Sequence, residues 1–466
     1  MDSRFNDFQN KRMEIFREVV SRAWNGTLKK DLPTLVEKIR HDYNFTNEDD
    51  SFIRDQVRVV MGLNPKGDVE FSDEFDIASK LKAVEQPIVT KIDGACKECH
   101  EVYEEVPCRD SCKYEAHIYR RSEGPIIENN KCLNCGKCVV NCPFGAIADK
   151  IEFIPMVEML KNKDTQVFAT VAPSIVGQFG DDITMGQLRS ALKLMGFEDM
   201  VEVALFADIL TIKEAFEFDH LVTSEDDFYI TSCCCPVWVN LVEKHYPKLL
   251  EKMAPSISPM IASGRILKEF YPNAKIVFIG PCIAKKAEAK DERLKGDIDF
   301  VLTYRELDEI FKALNINLKE MPNDEKDQAS FGGRVYARTG GVSFSVKTVV
   351  NRIAPRRLIK FKPKKVDGIA ECKEVLDDLM NGKVDANFIE GMGCKGGCVG
   401  GPRTNIDVDK ATHIVNEFGE DSLIMTPFDN MNVMKILKNL GLNKAEQILQ
   451  KNRVSQLLAR ERVHKS

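Results

Sequence analysis

The sequence predicts an α/β protein: an N-terminal helical region, a small cysteine-dense α+β unit, and a large α/β domain whose parallel sheets are flanked by helices. Three observations predict it. A chain of 466 residues exceeds what one compact core holds, so several domains are expected. None of the 15 cysteines precedes Cys96, and eight crowd between Cys96 and Cys142. From about residue 165, short apolar runs alternate with amphipathic stretches, the pattern of buried strands joined by covering helices.

Taken in order, residues 1–85 read as helical. Apolar residues recur three and four apart in FNDFQNKRMEIFREVVSRAWNG and LPTLVEKIRHDY, with turn signals at Asn25, Gly26 and Pro33. This region shows no chemistry and is read as a docking or covering module. Residues 86–155 form the cysteine-dense unit and residues 156–466 the α/β domain. There QVFATVAPS is expected as a buried strand, GQLRSALKLMGF as a helix, VEVALF as a strand, DILTIKEAFEF as a helix, and KIVFIGPC and IDFVLTY as further strands. TSCCCP follows DFYI, and Cys282 follows KIVFIG. These cysteines therefore fall beyond the carboxyl ends of strands, where parallel sheets bind ligands. From about residue 405 the texture returns to helix and ends in a charged tail.

The net charge of −6 argues against nucleic acid as a partner. No apolar run reaches the length that spans a bilayer. The opening MDSRFNDFQNKRMEIF has no uninterrupted apolar core of the signal-peptide kind. A cytoplasmic setting is expected, where abundant cysteine points to metal rather than to disulfides.

Cys132, Cys135, Cys138 and Cys142 follow the spacing C-x2-C-x2-C-x3-C and precede Pro143. That is the bacterial ferredoxin run, whose fourth cysteine ligates the neighbouring cluster. A partner quartet exists in Cys96, Cys99, Cys108 and Cys112. One 4Fe–4S cluster is expected on Cys96, Cys99, Cys108 and Cys142, and a second on Cys132, Cys135, Cys138 and Cys112. Structural zinc is the rival reading of paired C-x2-C motifs. Farther on, Cys235, Cys282, Cys394 and Cys398 are available for one more cubane, and glycines around the last pair would let backbone approach a bulky inorganic ligand.

The trio TSCCCPVW (231–238), PCIAKKAE (281–288) and EGMGCKGGCVGG (390–401) resembles the three signature loops of FeFe (iron-only) hydrogenases, in the family's order. The three consecutive cysteines resemble the group B subgroup. The likeness covers roughly residues 95–420 and leaves residues 1–85 without a distinctive match. It implies an enzyme that interconverts protons, electrons and H2. Its H-cluster would be a 4Fe–4S cubane on Cys235, Cys282, Cys394 and Cys398, bridged by Cys398 to a diiron subsite bearing CO, cyanide and a dithiolate. Ferredoxin or a similar carrier would exchange electrons, and maturation proteins would load the cluster.

By the same resemblance, Cys234 is the proton-relay thiol, and a thiol's near-neutral pKa suits that work. Glu214 and Glu217, three apart on one helix face, match the relay glutamates. Position 254, where the family has a relay serine, is Ala254, which interrupts that path unless water, Ser256 or Ser258 fills in. Lys285 matches the lysine that grips a cyanide, with Glu288 as its ion-pair partner. Met392 matches a methionine at the diiron bridge. Ala172, Pro173 and Ser174 match a loop lining a second cyanide, and Gly340 and Gly341 match another wall. Gly280 and Met260 replace a methionine and a glutamine of the better-studied group, which alters the surroundings that tune redox potential. Cys233 is either a further participant or a packed thiol, and Cys372 is read as an inert buried thiol. The plain alternatives are a surface lysine, solvated glutamates and core-filling methionine. At the level of the whole chain they are an iron–sulfur scaffold without a diiron unit, or a hydrogen sensor.

Overall fold

The computed structural model describes residues 8–94, 99, 106–113, 116–120 and 124–460. Two two-stranded antiparallel ribbons frame the cysteine-dense unit: β1 (Val89–Lys91) pairs with β4 (Ile147–Asp149), and β2 (His117–Arg120) with β3 (Gly124–Ile127). The large region holds two parallel sheets. One has the order β6–β5–β8–β9, from β5 (Val167–Val171), β6 (Asp199–Glu202), β8 (Lys275–Gly280) and β9 (Phe300–Thr303). The other has the order β10–β11–β7, from β7 (Tyr229–Ile230), β10 (Pro363–Asp367) and β11 (Phe388–Met392). Every residue of β5, β9 and β11 is buried, as strands covered by helices on both faces must be.

The expected elements lie where the sequence placed them, with two corrections. Pro33, read as a turn, lies inside helix Leu28–Asp42, because a proline close to a helix start removes one backbone hydrogen bond without ending the helix. VEVALF is not a strand throughout. Strand β6 ends at Glu202, and Val203 begins a helix that runs to Leu221. Residues 203–218 of that helix are all buried. A helix apolar on every side shows no amphipathic period, so its first turn reads like a strand.

The helices Phe8–Trp24, Leu28–Asp42 and Asp50–Val60 do not form a core of their own. Phe8, Phe16 and Val57 belong to one hydrophobic cluster with Val139, Phe144, Val167 and Phe311. Arg17 pairs with Glu309 of helix Tyr304–Ala313 at 2.5 Å. No helix among the described residues is long and apolar enough to cross a membrane.

A knot of buried charge ties these parts together. Asp149, at the end of β4, accepts from Lys286 at 3.0 Å and pairs with Arg403, and Arg12 lies 3.6 Å away. Lys286 also reaches Glu306 at 2.6 Å and the Lys150 carbonyl at 2.7 Å. All five charged side chains are nearly inaccessible. Burial alone would neutralise Asp149, but Arg403, Lys286 and Arg12 overcome it and hold its carboxyl well below the usual carboxylate range. Removing one member of such a set strands buried charge. Asp149→Ala is therefore expected to destabilise the protein by about 3–5 kcal/mol, measured as a shift in the urea denaturation midpoint; an unshifted midpoint would contradict the role assigned to this knot.

Candidate metal and catalytic site

Among the described residues every cysteine is a free thiol. In the cysteine-dense unit Cys99, Cys108 and Cys142 stand together: burial, then Cys142 and Cys99, push Cys108 up to about 12. Cys96, expected as their fourth partner, lies outside the described residues. Cys112, Cys132, Cys135 and Cys138 line one small pocket. Cys142 thus neighbours the first group and Cys112 the second. Cys138 also feels Cys108, so the two groups adjoin. No three His, Cys, Asp or Glu among the described residues are arranged to share a single metal ion.

The third thiol group is built from strand ends. Cys235 follows β7, Cys282 follows β8, and Cys394 and Cys398 follow β11. Burial, then Cys235 and Cys398, push Cys282 up to about 12. Burial, then Cys282, Cys235 and Cys398, raise Cys394 well above the ordinary thiol value. Four thiols that suppress one another's ionisation in a dry site are a poor arrangement for free cysteine and a good one for an iron cluster, because coordination deprotonates a thiol outright. The Gly393 N–H donates to Cys235 Sγ at 3.3 Å, the kind of bond that tunes cluster potential. Cys394 also feels Cys135, so the third group adjoins the second.

Loop shape follows from a few backbone positions. Ser232 takes a left-handed φ of 68°, Cys235 N–H closes onto Ser232 O at 3.0 Å, and Trp238 Nε1 donates to Thr231 O at 2.9 Å. Together they fold TSCCCP into a compact turn; a strained non-glycine residue of this kind is typical of functional sites. Gly136, between Cys135 and Cys138, has φ 76°, and a Cβ there would lie 2.6 Å from Ile283 Cδ1, next to Cys282. The left-handed φ favours glycine at this point, where the ferredoxin-type loop meets the loop after β8.

Beyond the four thiols lies a cavity reached from both sheets. Ala172 and Pro173 after β5, Cys282 and Lys285 after β8, Cys234 after β7 and Cys398 after β11 line it, joined by Met260, Phe278 and Tyr336. The space left by Gly280 is filled by the Phe278 ring, 2.6 Å from where a Cβ would stand. Lys285 Nζ donates to Glu288 Oε2 at 2.7 Å. Burial would lower the Lys285 pKa, but Glu288 outweighs it and the pKa is raised.

Four expected residues are not among those that line the cavity. Ser174 is buried, with its hydroxyl 2.7 Å from Tyr304 OH. Gly340 donates its N–H to Glu390 Oε1 at 2.7 Å, and Gly341 caps onto Arg338 O at 3.0 Å. Met392 is buried, and its carbonyl accepts from the thiol of Cys372 at 3.3 Å. That bond and its full burial make Cys372 a structural thiol.

The thiol hydrogen-bonded to Glu214 is Cys233, at 3.1 Å from Oε1, with Thr231 donating to Oε2. Glu217 accepts from Lys213 at 2.5 Å and from Tyr229 OH at 2.7 Å. Lys213 Nζ reaches Ser256 Oγ at 2.7 Å, while Ser258 caps helix Pro259–Phe270. Sequence reasoning missed Tyr229, Tyr336 and Lys213, which carry no motif, and gave Thr231, at the head of the TSCCCP loop, no role.

The profile of the iron only hydrogenase large subunit, C-terminal domain, matches residues 165–402, just over half the chain. The chain belongs to this family. A 4Fe–4S binding domain profile matches residues 125–147. The NADP-reducing hydrogenase subunit HndD of Solidesulfovibrio fructosivorans is 30% identical over 322 residues, which cover 58% of this chain and 55% of that protein. Iron hydrogenase 1 of Clostridium pasteurianum is 26% identical over 453 residues, covering 73% of this chain and 78% of that one. The cytosolic Fe-S cluster assembly factor NAR1 of Scheffersomyces stipitis is 27% identical over 38% of this chain and 37% of its own length. The solved [FeFe]-hydrogenase HydA1 from Chlamydomonas reinhardtii superposes with a TM-score of 0.53 at 22% identity over 65% of this chain and 96% of that one, a likeness of fold.

Burial dominates the Glu214 carboxyl and raises it to about 7, against the pull of its bonds from Thr231 and Cys233. A carboxyl raised on folding contributes stability at low pH that is lost as pH climbs to its folded value. Wild-type stability is therefore expected to fall between the ordinary carboxylate range and about pH 7 and then level off, and Glu214→Gln is expected to flatten that slope. Urea midpoints across pH measure it; parallel curves for the two proteins would contradict the buried, near-neutral carboxyl.

Proposed function

We propose that this chain is an FeFe hydrogenase of the group B kind, interconverting protons, electrons and H2. Its cubane would sit on Cys235, Cys282, Cys394 and Cys398, and Cys398 would join it to a diiron unit in the adjoining cavity. Two 4Fe–4S clusters of the 86–155 unit would carry electrons, with ferredoxin or a similar carrier outside. Residues 156–466 would form the catalytic domain, residues 1–85 would cover it, and maturation proteins would load the site. The observation that carries this reading is the meeting of Cys234, Lys285 and Cys398 around one cavity. A protein that only stores cubanes has no use for a thiol and a paired ammonium there.

When bound, the iron unit supplies the electron exchange and the H–H bond chemistry. The chain supplies the rest. The Lys285 ammonium offers charge-assisted hydrogen bonds to an anionic ligand in a dry site. The Cys234 thiol holds a proton at the cavity wall. Glu214, near neutrality, is suited to accept and return protons at working pH. Ala254 has no hydroxyl, but Ser256 supplies one, tied through Lys213 to Glu217. The chain thus has a polar set of its own on the far side of the missing serine.

A second reading, an iron–sulfur scaffold, draws on the likeness to the assembly factor. Infrared spectroscopy separates the two. The protein matured beside a known hydrogenase is expected to show CO and cyanide stretching bands and to evolve H2 from a reduced dye. Iron-loaded protein with neither, beside an active control, would favour the scaffold. Cys234→Ala is expected to keep the bands and lose turnover by about 100-fold or more, the usual order for a positioned acid–base group; full activity would remove Cys234 from the relay.

A further inference from the structure

The C-terminal segment carries no motif and lies beyond residue 402, where the family profile ends. It nevertheless returns to the site. Ile257 N–H donates to Leu458 O at 3.1 Å, Ala459 pairs antiparallel with Ser256, and Arg460 N–H donates to Pro255 O at 2.8 Å. Arg265 fastens the segment from the other side, donating to Leu457 O at 3.1 Å and Ala459 O at 3.0 Å. Arg460 then turns its buried side chain to Glu288, with Nη2 2.8 Å from Oε1. The other oxygen, Oε2, holds Lys285. Glu288 is thus gripped at both oxygens by two cations from distant parts of the chain.

We propose that Arg460 is a positioning residue for the cavity: it fixes Glu288, and Glu288 in turn fixes the direction of the Lys285 ammonium. A lysine has a flexible four-carbon stem and three rotatable donors, so one freely turning carboxylate cannot aim it; arginine's planar, permanently charged fork can fix that carboxylate. Glu288 and Arg460 both line a groove of about 820 Å³ whose lining does not include Lys285. Without Arg460 the carboxylate is free to swing into that groove and draw the ammonium from the cavity wall. The inference rests on the diiron reading of the cavity for its purpose, but not for its geometry.

Two measurements test it. In protein carrying its iron–sulfur clusters but not matured, acylation of Lys285 by an amine-reactive ester is read by peptide mass spectrometry. Arg460→Ala is expected to raise Lys285 labelling severalfold, and Arg460→Lys to restore most of the protection. In matured protein, Arg460→Ala is expected to shift or broaden the cyanide bands at unchanged iron content. Should the alanine variant fold poorly, Arg460→Gln, closer in shape and uncharged, is read the same way. Labelling and cyanide bands identical to wild type would overturn the proposal. A wild-type protein without cyanide bands would count against the hydrogenase reading alone, and the labelling result would then decide the role of Arg460.

Discussion

Everything about the site depends on one geometric constraint: two parallel sheets deliver their carboxyl ends to the same place. Strands β5 and β8 of one sheet and β7 and β11 of the other supply the residues around a single cavity. Parallel strands leave their ends to loops, and loops are free to carry thiols that no regular element would present. The cost is the burial of four cysteines that mutually oppose ionisation. A cationic iron core removes that cost, so the fold of the loops and the filling of the site are coupled, as they are in other metal-built domains.

The cysteine groups keep their spacing only if the elements that carry them are held together, and here charge supplies the rigidity. Asp149 stands at the end of the ribbon that closes the cysteine-dense unit, Arg403 just past the last thiol loop, and Lys286 in the short helix Ala284–Glu288 after Cys282. Their mutual pairing fixes the ferredoxin-type unit against both catalytic loops, and Arg12 adds the first helix to the same knot. Buried ion pairs give little net stability, yet a displaced partner is heavily penalised. Such a knot therefore selects one relative placement of the parts more than it strengthens any of them. The near contact of Gly136 with Ile283 is the steric side of the same fit.

Much of this was legible in the sequence for a definite reason. Iron–sulfur loops and turn-bound cysteines are local constructions, so their spacing survives in one dimension. Glu214 and Glu217 were legible through their match to the relay glutamates of the family the signature loops resemble; their placement three apart on one helix face agreed with it but would not have singled them out. The strand–helix border at Glu202 was not, since a fully buried helix shows no period to read. The Asp149 knot, the Thr231 and Cys233 bonds to Glu214, and the Lys213–Ser256 contact were also invisible. Each joins residues far apart in the chain whose types, taken singly, look like ordinary surface or core. Ser174, Gly340, Gly341 and Met392 carried family signals, yet they are not among the residues that line the cavity.

The surroundings of the thiols bear on what a divergent member of a family preserves. The thiols cannot be exchanged without losing the cluster, whereas their supports can be replaced by anything that restores shape and charge. Gly280 beside the Phe278 ring is one such exchange of volume. Ser256 with Lys213, where Ala254 offers no hydroxyl, is an exchange of polarity. In both cases the substitute arrives from another position or another element. Position-by-position comparison does not register contacts of this kind, and the site has to be judged by what surrounds the cavity in space.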